Sequence, residues 1–214
     1  MTTAPTPRRV GMFGGAFDPP HWAHRSLAQA AIAQLGLDVL HILPTGHAWH
    51  KPRTLTDASH RIAMCEHAFG DLPGVLLDDR EVRRTGPSYT ADTLAELGQQ
   101  YPQAQLFLVL GADQFLAFRT WSRWEEVLQQ ATLGVANRPV HLAADAVGGE
   151  GDPADLTRVG LPFAAIDMPL QDTSSTAIRA HVHGQSRRFP DLDVLVPQGV
   201  ARYISEHHLY ETPT

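Results

Sequence analysis

Short runs of apolar residues alternate along this chain with segments in which apolar residues recur every three or four positions. The runs have the length of buried strands, and the periodic segments have the length of amphipathic helices. This alternation is typical of an α/β fold of three layers, in which a mostly parallel central sheet carries helices on both faces. The predicted strands are Val10–Phe13, Val39–Leu43, Val75–Leu77, Leu106–Leu110, Leu133–Ala136 and a weaker one near Phe163–Met168.

The first predicted helix runs from about Pro19 to Leu35. Leu27, Ala31 and Leu35 share one helical face, and Gly36 supplies a C-terminal stop. Further helices are predicted near Thr56–Phe69, Tyr89–Tyr101, Ser122–Gln130, Thr176–His183 and Val200–His207.

Two of these helix starts carry capping signals. Asp18 before Pro19 suits an N-cap followed by a proline in the first turn. Ser122 and Glu125 have the spacing of a capping box, which predicts that the helix there begins at Ser122.

The chain is predicted to form a single domain over residues 8–211, preceded by a flexible tail at 1–7. Residues 139–162 are rich in Gly, Pro, Ala and Asp and lack a period, which indicates a long surface loop. Too little chain follows that loop to build an independent core. Residues 172–211 are therefore predicted to be a small C-terminal helical part.

Composition narrows the class of protein. The chain has 214 residues, of which 43% are hydrophobic, as in globular proteins that bury a core. Its net charge of −6 and the lack of long basic runs argue against nucleic acid as a partner. No apolar segment has the length of a membrane span or of a signal-peptide core, so we expect no membrane partner. Cys65 is the single cysteine, which excludes an intramolecular disulfide and favours a reducing, cytoplasmic location.

The stretch GGAFDPPHWAH, residues 14–24, follows the first predicted strand and opens the first predicted helix. A glycine-rich turn between a strand and a helix offers backbone N–H groups and the positive end of a helix dipole to phosphate. The glycine spacing fits neither G-x-G-x-x-G nor the P-loop pattern. An anion site of another kind is therefore predicted at this turn.

His21 and His24 lie three positions apart, so on a helix they share one face of the first turn. From there both rings can donate hydrogen bonds to a phosphate at the positive end of the dipole. Two alternatives stay open for this segment taken alone. The rings could bind a metal, although there is no H-E-x-x-H motif, or they could be solvated on the helix surface.

The stretch DTSSTAIRAH, residues 172–181, places three hydroxyl residues before a helix. Ser174, Ser175 and Thr176 can cap that helix, and Arg179 can turn a guanidinium, whose geometry matches phosphate, toward the same end. Alone, this segment could be a capped surface helix. Together with the first motif it predicts two helix N-termini that converge on one polyphosphate.

The two stretches GGAFDPPHWAH and SSTAIR resemble the signatures of the nucleotidyltransferase superfamily, G-x-F-D-P-x-H-x-G-H and S-S-T-x-x-R. Ala23 stands where the first signature has a glycine between its histidines. The resemblance implies a Rossmann-like fold in which the histidines, the serines and the arginine bind ATP phosphates. It also implies transfer of the AMP part of ATP to an acceptor phosphate, with release of pyrophosphate.

Between the two signatures the chain is similar to one branch, the bacterial nicotinate-nucleotide adenylyltransferases. The shared stretches are HILPTGHAWHK, RIAMCEHAF, DDRE, GPSYTADTLAEL, LGADQFLAFRTWSRWEEVL and HHLY, and the resemblance covers roughly residues 9–211. It implies nicotinate mononucleotide as the acceptor and deamido-NAD as the product. RIAMCEHAF also fits a plain core helix, and TADTLAEL fits a plain amphipathic helix.

The resemblance implies roles for individual residues. Lys51 would accompany the triphosphate, Asp113 would accept hydrogen bonds from the adenosine ribose, and Trp121 would stack on the cationic pyridine ring. The catalytic residues it indicates are His21, His24, Lys51 and Arg179. The ATP-binding residues it indicates are Gly14, Gly15, Phe17, Asp18, His21, His24, Gly111, Asp113, Ser174, Ser175, Thr176 and Arg179. The residues it indicates for the mononucleotide are Gly15, Ala16, Lys51, Tyr89, Thr90, Thr120 and Trp121.

The implied reaction needs no general base, because a phosphate whose second ionisation lies near ~6 is mostly dianionic at neutral pH. Catalysis then consists of positioning and charge neutralisation. Mg²⁺ is expected as the cofactor, carried with ATP and held by phosphate oxygens and water, and no protein ligand to a metal is predicted. The partners expected are the small molecules ATP and nicotinate mononucleotide, and a homo-oligomer is left open.

Three alternatives remain. The same chemistry could act on nicotinamide mononucleotide or phosphopantetheine, or it could transfer a cytidylyl group. A nucleotide-binding regulator without catalysis could carry the same phosphate site. A histidine-rich metal protein would use the 12 histidines, which are scattered along the chain apart from His181/His183 and His207/His208.

Overall fold

The computed structural model describes residues 6–46, 55–136, 156–169, 173–184 and 191–211. Six strands form one sheet in the order β3-β2-β1-β4-β5-β6. The pairings β1·β4, β4·β5 and β5·β6 are parallel, with Val10 opposite Leu106 in the first of them. The strands are β1 Arg9–Gly15, β2 Val39–Pro44, β3 Val75–Leu77, β4 Gln105–Leu110, β5 Ala131–Ala136 and β6 Ala164–Ile166. All six predicted strands are confirmed, and so is the Rossmann-like α/β class.

The helices follow the predicted pattern with additions. They are α1 Trp22–Leu35, α2 Ala58–Phe69, α3 Arg80–Arg83, α4 Thr90–Gln100, α5 Ala112–Leu116, α6 Trp124–Gln130, α7 Ser175–Val182 and α8 Gln198–Glu206. Single 3₁₀ turns lie at Phe118–Thr120, Leu156–Val159 and Leu192–Val194. The short helices α3 and α5 were not predicted, because neither spans enough residues to show a helical period.

Two predicted helix starts are wrong. α1 begins at Trp22 and not near Pro19, and the Asp18–Pro19 peptide that precedes it is cis. Asp18 is fully buried and its carboxylate binds other segments, so it does not cap α1. Arg123, in the left-handed conformation with φ 59°, holds the N-cap position of α6 in place of the predicted Ser122.

Internal contacts cluster the chain into two compact units. Among the described residues, the first unit holds 6–13, 29–40, 89–136 and 156–169. Its core contains buried side chains of β4 and β5, such as Leu108 and Leu133. A Cβ atom at Gly134 would lie 2.7 Å from the end of the Leu35 side chain and 3.2 Å from that of Ile166, so the glycine lets both side chains pack directly on β5.

The second unit holds residues 14–28, 41–46, 55–88, 173–184 and 191–211 of the described chain. Its core is built around Phe17, Met64 and Phe69, all fully buried. Within it, Arg25 donates to the carbonyl of Ala68 at 2.7 Å and forms an ion pair with Asp71.

The predicted single domain stays a prediction. Residues 139–155 of the predicted loop at 139–162 lie outside the described residues, and the loop's later part contains a 3₁₀ turn at Leu156–Val159. No helix in the described part of the chain is both long and apolar enough to cross a bilayer.

Candidate phosphate-binding site

The first turn of α1 is closed by a contact between the two histidines of the first motif. The backbone N–H of His21 donates to Nδ1 of His24 at 3.3 Å, and the carbonyl of His21 accepts from the N–H of Arg25 at 3.1 Å. His21 therefore occupies the N-cap position, and His24 reaches back from the third helical residue as an acidic side chain does in a capping box. Because Nδ1 of His24 accepts, the ring proton lies on Nε2, which is then a hydrogen-bond donor.

The two imidazole rings lie together, as their spacing predicted. Their centroids are 3.7 Å apart in a stacked arrangement, and His21 is only 3% exposed while His24 is half-buried. The ring of Phe17 packs edge-on against the ring of His24, with centroids 5.2 Å apart, and against the ring of Phe69, with centroids 5.6 Å apart. The rings are thus fixed by packing as well as by the helix cap.

Asp18 is buried in the second unit, where its carboxylate accepts hydrogen bonds from two segments distant in sequence. It is 0% exposed, and its carboxylate accepts from the hydroxyl of Tyr210 at 2.7 Å and from the backbone N–H of Thr56 at 3.3 Å. Burial and the charge of Asp18 raise the pKa of Tyr210 above its usual value. The hydroxyl therefore stays protonated and donates to the carboxylate.

Arg61 provides the positive charge beside this carboxylate. It is 2% exposed and donates from Nε to the carbonyl of Thr56 at 2.9 Å and from Nη1 to the carbonyl of Ala16 at 3.0 Å. Burial lowers the pKa of Arg61, and the charge of Asp18 is the largest effect that opposes this shift. The two buried charges compensate each other, and both hold the backbone of the turn between β1 and α1.

The second motif forms the N-terminus of α7 as predicted. The hydroxyl of Ser174, at the N-cap, accepts from the N–H of Ala177 at 3.1 Å. The hydroxyl of Ser175 donates to the carbonyl of Pro19 at 2.9 Å. Arg179 donates from Nη1 to the carbonyl of Asp18 at 2.7 Å.

Arg179 also donates from Nη2 to the hydroxyl of Thr176 at 3.2 Å, so its guanidinium is turned toward the start of its own helix. These two bonds use two of the five N–H donors of a guanidinium. The structure thus joins the two motifs by direct hydrogen bonds, although more than 150 residues separate them along the chain.

The joined motifs, which we call the phosphate cluster, consist of residues 14–24 and 174–179. The cluster combines the N-terminal ends of α1 and α7 with the donors of His24 and Arg179, and its buried carboxylate is already engaged by Tyr210 and Thr56. Helix N-termini and cationic donors of this kind suit phosphate. Within the described residues, no three His, Cys, Asp or Glu side chains are grouped so that they could hold a metal ion.

Gly14 is exposed, whereas Gly15 and Ala16 are half-buried at the end of β1 and the start of the turn. A side chain at Gly15 would lie 3.1 Å from the ring of Phe17, so a glycine there lets the turn pack on that ring. Lys51 lies outside the described residues.

The other predicted site residues belong to the first unit. Gly111 caps α5, and Asp113 is exposed in the first turn of that helix. Tyr89 is the N-cap of α4 and Thr90 its first residue. Trp121 follows the 3₁₀ turn that ends at Thr120 and packs on Phe118, with ring centroids 5.4 Å apart.

The segments around Tyr89 and Trp121 are linked by exposed ion pairs. Arg123 binds Asp92 of α4 and Glu126 of α6, and the Nε to Oε1 distance to Glu126 is 2.9 Å. Hydrogen bonds that Arg123 donates to Glu126 and Asp92 raise the pKa of Arg123.

Two residues of the cluster's support were not predicted as functional. Arg61 belongs to the stretch RIAMCEHAF, which fits a plain core helix, and Tyr210 belongs to the closing stretch HHLY, for which the sequence predicts no role. A signal for Arg61 was available, because it shares a helical face with the buried Met64, Cys65 and Ala68. A charged residue on an apolar helical face indicates a buried polar partner.

The chain resembles known proteins over nearly its whole length. Residues 12–181 match the family described as cytidylyltransferase-like. The chain is 48% identical to a probable nicotinate-nucleotide adenylyltransferase of Albidiferax ferrireducens, with 96% of this chain and 99% of that protein covered. It is 36% identical to a protein of the same name from Bacillus pumilus, with 96% and 100% covered.

Solved structures share the fold. The Plasmodium falciparum nicotinic acid mononucleotide adenylyltransferase complexed with NaAD has a TM-score of 0.72 and 17% identity, over 95% of this chain and 97% of that one. The same enzyme complexed with APC has a TM-score of 0.71, 18% identity and the same coverage.

Proposed function

The chain belongs to the cytidylyltransferase-like family and, within it, to the nicotinate-nucleotide adenylyltransferases, and we propose that it adenylylates nicotinate mononucleotide with ATP. The phosphoanhydride bond between the α- and β-phosphorus atoms of ATP breaks, and a new one forms between the α-phosphorus and the acceptor's 5′-phosphate oxygen. Pyrophosphate leaves and deamido-NAD is the second product. The observation that carries the proposal within this chain is the hydrogen bond from Arg179 to Asp18, which unites the two phosphate motifs.

The phosphate cluster would bind the triphosphate of ATP. Nε2–H of His24 donates from the first turn of α1, and Arg179 and the hydroxyl residues Ser174, Ser175 and Thr176 contribute from the start of α7. The turn residues Gly14, Gly15, Phe17 and Asp18 shape the backbone between the two helices, and His21 holds the ring of His24 in place by stacking.

Charge repulsion is the main obstacle to this reaction. Two unit charges ~4 Å apart repel by roughly 4 kcal/mol at an effective dielectric constant of about 20. Cationic donors and helix N-termini offset this repulsion and become most effective as charge shifts onto the departing pyrophosphate. A dianionic acceptor phosphate attacks without a general base, so positioning is the remaining task.

Mg²⁺ would accompany ATP. The described cluster presents N–H donors, and its carboxylate is buried and occupied by internal hydrogen bonds, so phosphate oxygens and water would hold the ion. Bound in that way, Mg²⁺ neutralises part of the phosphate charge.

The first unit would bind the nucleoside parts. We assign Gly111 and Asp113 to the adenosine ribose, and Tyr89, Thr90, Thr120 and Trp121 to the nicotinate ring and its carboxylate, on the family resemblance. Gly15, Ala16 and Lys51 complete the proposed set for the mononucleotide. We also propose a cytoplasmic location, in line with the buried free thiol of Cys65, and a homo-oligomer stays a prediction.

The proposed function is tested by incubating the protein with ATP, Mg²⁺ and one acceptor at a time. The acceptors are nicotinate mononucleotide, nicotinamide mononucleotide and phosphopantetheine, and both pyrophosphate and the adenylylated product are measured. We expect the highest kcat/KM with nicotinate mononucleotide. A preference for another acceptor would overturn the substrate, and ATP binding without turnover on any acceptor would favour the non-catalytic regulator.

A further inference from the structure

We propose that Tyr210, near the C-terminal end of the chain, is a positioning residue for adenylyl transfer, which acts by fixing Asp18 within the phosphate cluster. This inference rests on the proposed function. It assigns a role in the reaction to a segment that lies 31 positions after Arg179, the last residue of the second motif.

The contact that carries the inference is the hydrogen bond from the Tyr210 hydroxyl to Oδ1 of Asp18, at 2.7 Å. The hydroxyl lies also 3.8 Å from the sulfur of Met64 in α2. Asp18 is fully buried, so water cannot replace a lost hydroxyl without entering the core. Loss of the Tyr210 hydroxyl would therefore remove a hydrogen bond from Oδ1 of a carboxylate that has no exposure to solvent.

The position of Asp18 affects the other residues of the phosphate cluster through hydrogen bonds to its backbone and to that of Pro19. Its carbonyl accepts from Arg179, and the neighbouring Pro19 carbonyl accepts from Ser175. A rotation of the Asp18 side chain would move this peptide and with it the guanidinium that we assign to phosphate. Small displacements of such donors are costly for catalysis, because the donors act only at the correct distance.

The backbone of the C-terminal segment places the Tyr210 hydroxyl next to the carboxylate of Asp18. α8 ends at Glu206, and both His208 and Tyr210 adopt the left-handed backbone conformation, with φ of 51° and 66°. Non-glycine residues rarely adopt this conformation unless their surroundings enforce it. The N–H of Leu209 donates to the carbonyl of Ile204 at 3.0 Å, which turns the chain back so that Tyr210 faces the interior of the second unit.

The second unit offers a matched control. The hydroxyl of Tyr203 in α8 also forms a hydrogen bond with a side chain, at 3.0 Å from Nδ1 of His60, but this contact involves no residue of the phosphate cluster. Tyr210→Phe and Tyr203→Phe therefore remove the same atom from two hydrogen bonds in the same unit. Only the first is connected to Asp18.

The experiment measures kcat, and KM for ATP, of both variants at saturating Mg²⁺ and nicotinate mononucleotide. We expect Tyr210→Phe to lose about 10- to 100-fold in kcat, and Tyr203→Phe to stay within about twofold of the wild type. Circular dichroism and urea unfolding establish that both variants are folded at the assay temperature. Equal effects of the two substitutions, or a Tyr210→Phe loss confined to stability, would overturn the inference.

A double-mutant cycle separates positioning from general destabilisation. Asp18→Ala removes the carboxylate that the Tyr210 hydroxyl binds, so Tyr210→Phe should add little to the kcat loss of Asp18→Ala. Additive losses would contradict a shared pathway through Asp18. If Tyr210→Phe is too unstable at the assay temperature, all variants are compared at a lower temperature at which urea unfolding shows each of them to be folded.

Failure of the proposed function would be visible separately, because the wild type would then turn over no acceptor. In that case the affinity for ATP with Mg²⁺, measured by calorimetry, replaces kcat as the readout for the same three variants. Unchanged affinity in Tyr210→Phe would then overturn the inference, and weakened affinity relative to Tyr203→Phe would support it.

Discussion

The two units hold their predicted site residues by different means. In the second unit, buried groups hold the phosphate cluster in place. Asp18 and Arg61 are both almost fully inaccessible, and they form hydrogen bonds with a backbone N–H group and a backbone carbonyl, respectively. In the first unit, the segments of Tyr89 and Trp121 are tied by ion pairs of Arg123, in which each side chain is 40% or more exposed. Buried networks fix geometry, whereas exposed ion pairs adjust and are screened by salt.

This difference suits the chemistry that we assign to each unit. Transfer between phosphates requires donors fixed within a fraction of an ångström. Stacking of an indole on a pyridine ring tolerates small shifts, because ring contacts are broad. Substitutions in the second unit should therefore cost far more than substitutions of the same type in the first.

The largest effect is expected from Asp18→Ala. It takes away the largest of the charges that oppose the desolvation of the buried Arg61 guanidinium, and it removes the acceptor for Thr56 and Tyr210. Removal of a charge that compensates another buried charge typically costs about 3–5 kcal/mol in the free energy of unfolding. The matched substitution is Asp113→Ala, which removes an exposed acid from the first unit and should change this free energy by about 0.5 kcal/mol or less. Urea unfolding of both variants tests the contrast, and equal losses would contradict it.

A smaller effect, dependent on pH, is expected from Asp78→Asn in the second unit. Burial raises the pKa of Asp78, but hydrogen bonds from His41 and Arg80 outweigh it and hold the pKa well below its usual range. The Nδ1 atom of His41 lies 2.7 Å from the carboxylate. A lowered folded-state pKa means that this stabilisation is present above the unfolded value of about 3.9 and is lost as pH falls through the folded value.

The Asp78→Asn variant should therefore be less stable than the wild type by about 1.5–3 kcal/mol at pH 7. The gap should close as the pH is lowered below about 4. Unfolding curves across this range provide the test. A gap that is constant with pH would show that the charge of Asp78 contributes nothing.

The smallest effect is expected from Arg123→Gln in the first unit. The exposed ion pairs with Asp92 and Glu126 contribute little and are screened by salt, so we expect almost no change in unfolding and a modest rise in KM for the mononucleotide at low ionic strength. The rise should disappear in high salt. A large fall in kcat would contradict the contrast between the two units.

Local sequence patterns predicted the strands and the helix cap that depend mainly on residues close together in the sequence. The strands follow from apolar runs such as Leu106–Leu110, and the N-cap at Ser174 follows from its hydroxyl before a helical period. The N-cap predicted at Asp18 is wrong, because its carboxylate binds a hydroxyl 192 positions away. No residue near Asp18 in the sequence indicates that partner. Arg123 displaced the predicted cap at Ser122 for a related reason, since its ion pair with Asp92 reaches another helix.

The motif residues of the candidate site could be predicted from the sequence, but the buried residues that hold them in place could not. His21, His24, Ser175 and Arg179 could be selected from two short stretches, and the structure places them in one unit. The buried groups beneath them come from α2 and from the C-terminal segment, which carry no phosphate motif of their own. Contacts between distant segments of this kind become visible only in the folded chain.

We propose that the phosphate cluster positions hydrogen-bond donors on the triphosphate, with His24 as the donor from α1. His24→Ala should lower kcat by roughly 10²- to 10³-fold, as loss of a donor aimed at developing charge does. His24→Glu is the matched variant, because a glutamate at the third helical position can still accept from the N–H of His21 and so keep the cap. The decisive measurement is the single-turnover rate of pyrophosphate release in both variants and the wild type. Both folded variants should release pyrophosphate at least about 10²-fold more slowly than the wild type, and near-normal release in either would show that His24 is not a donor to the triphosphate.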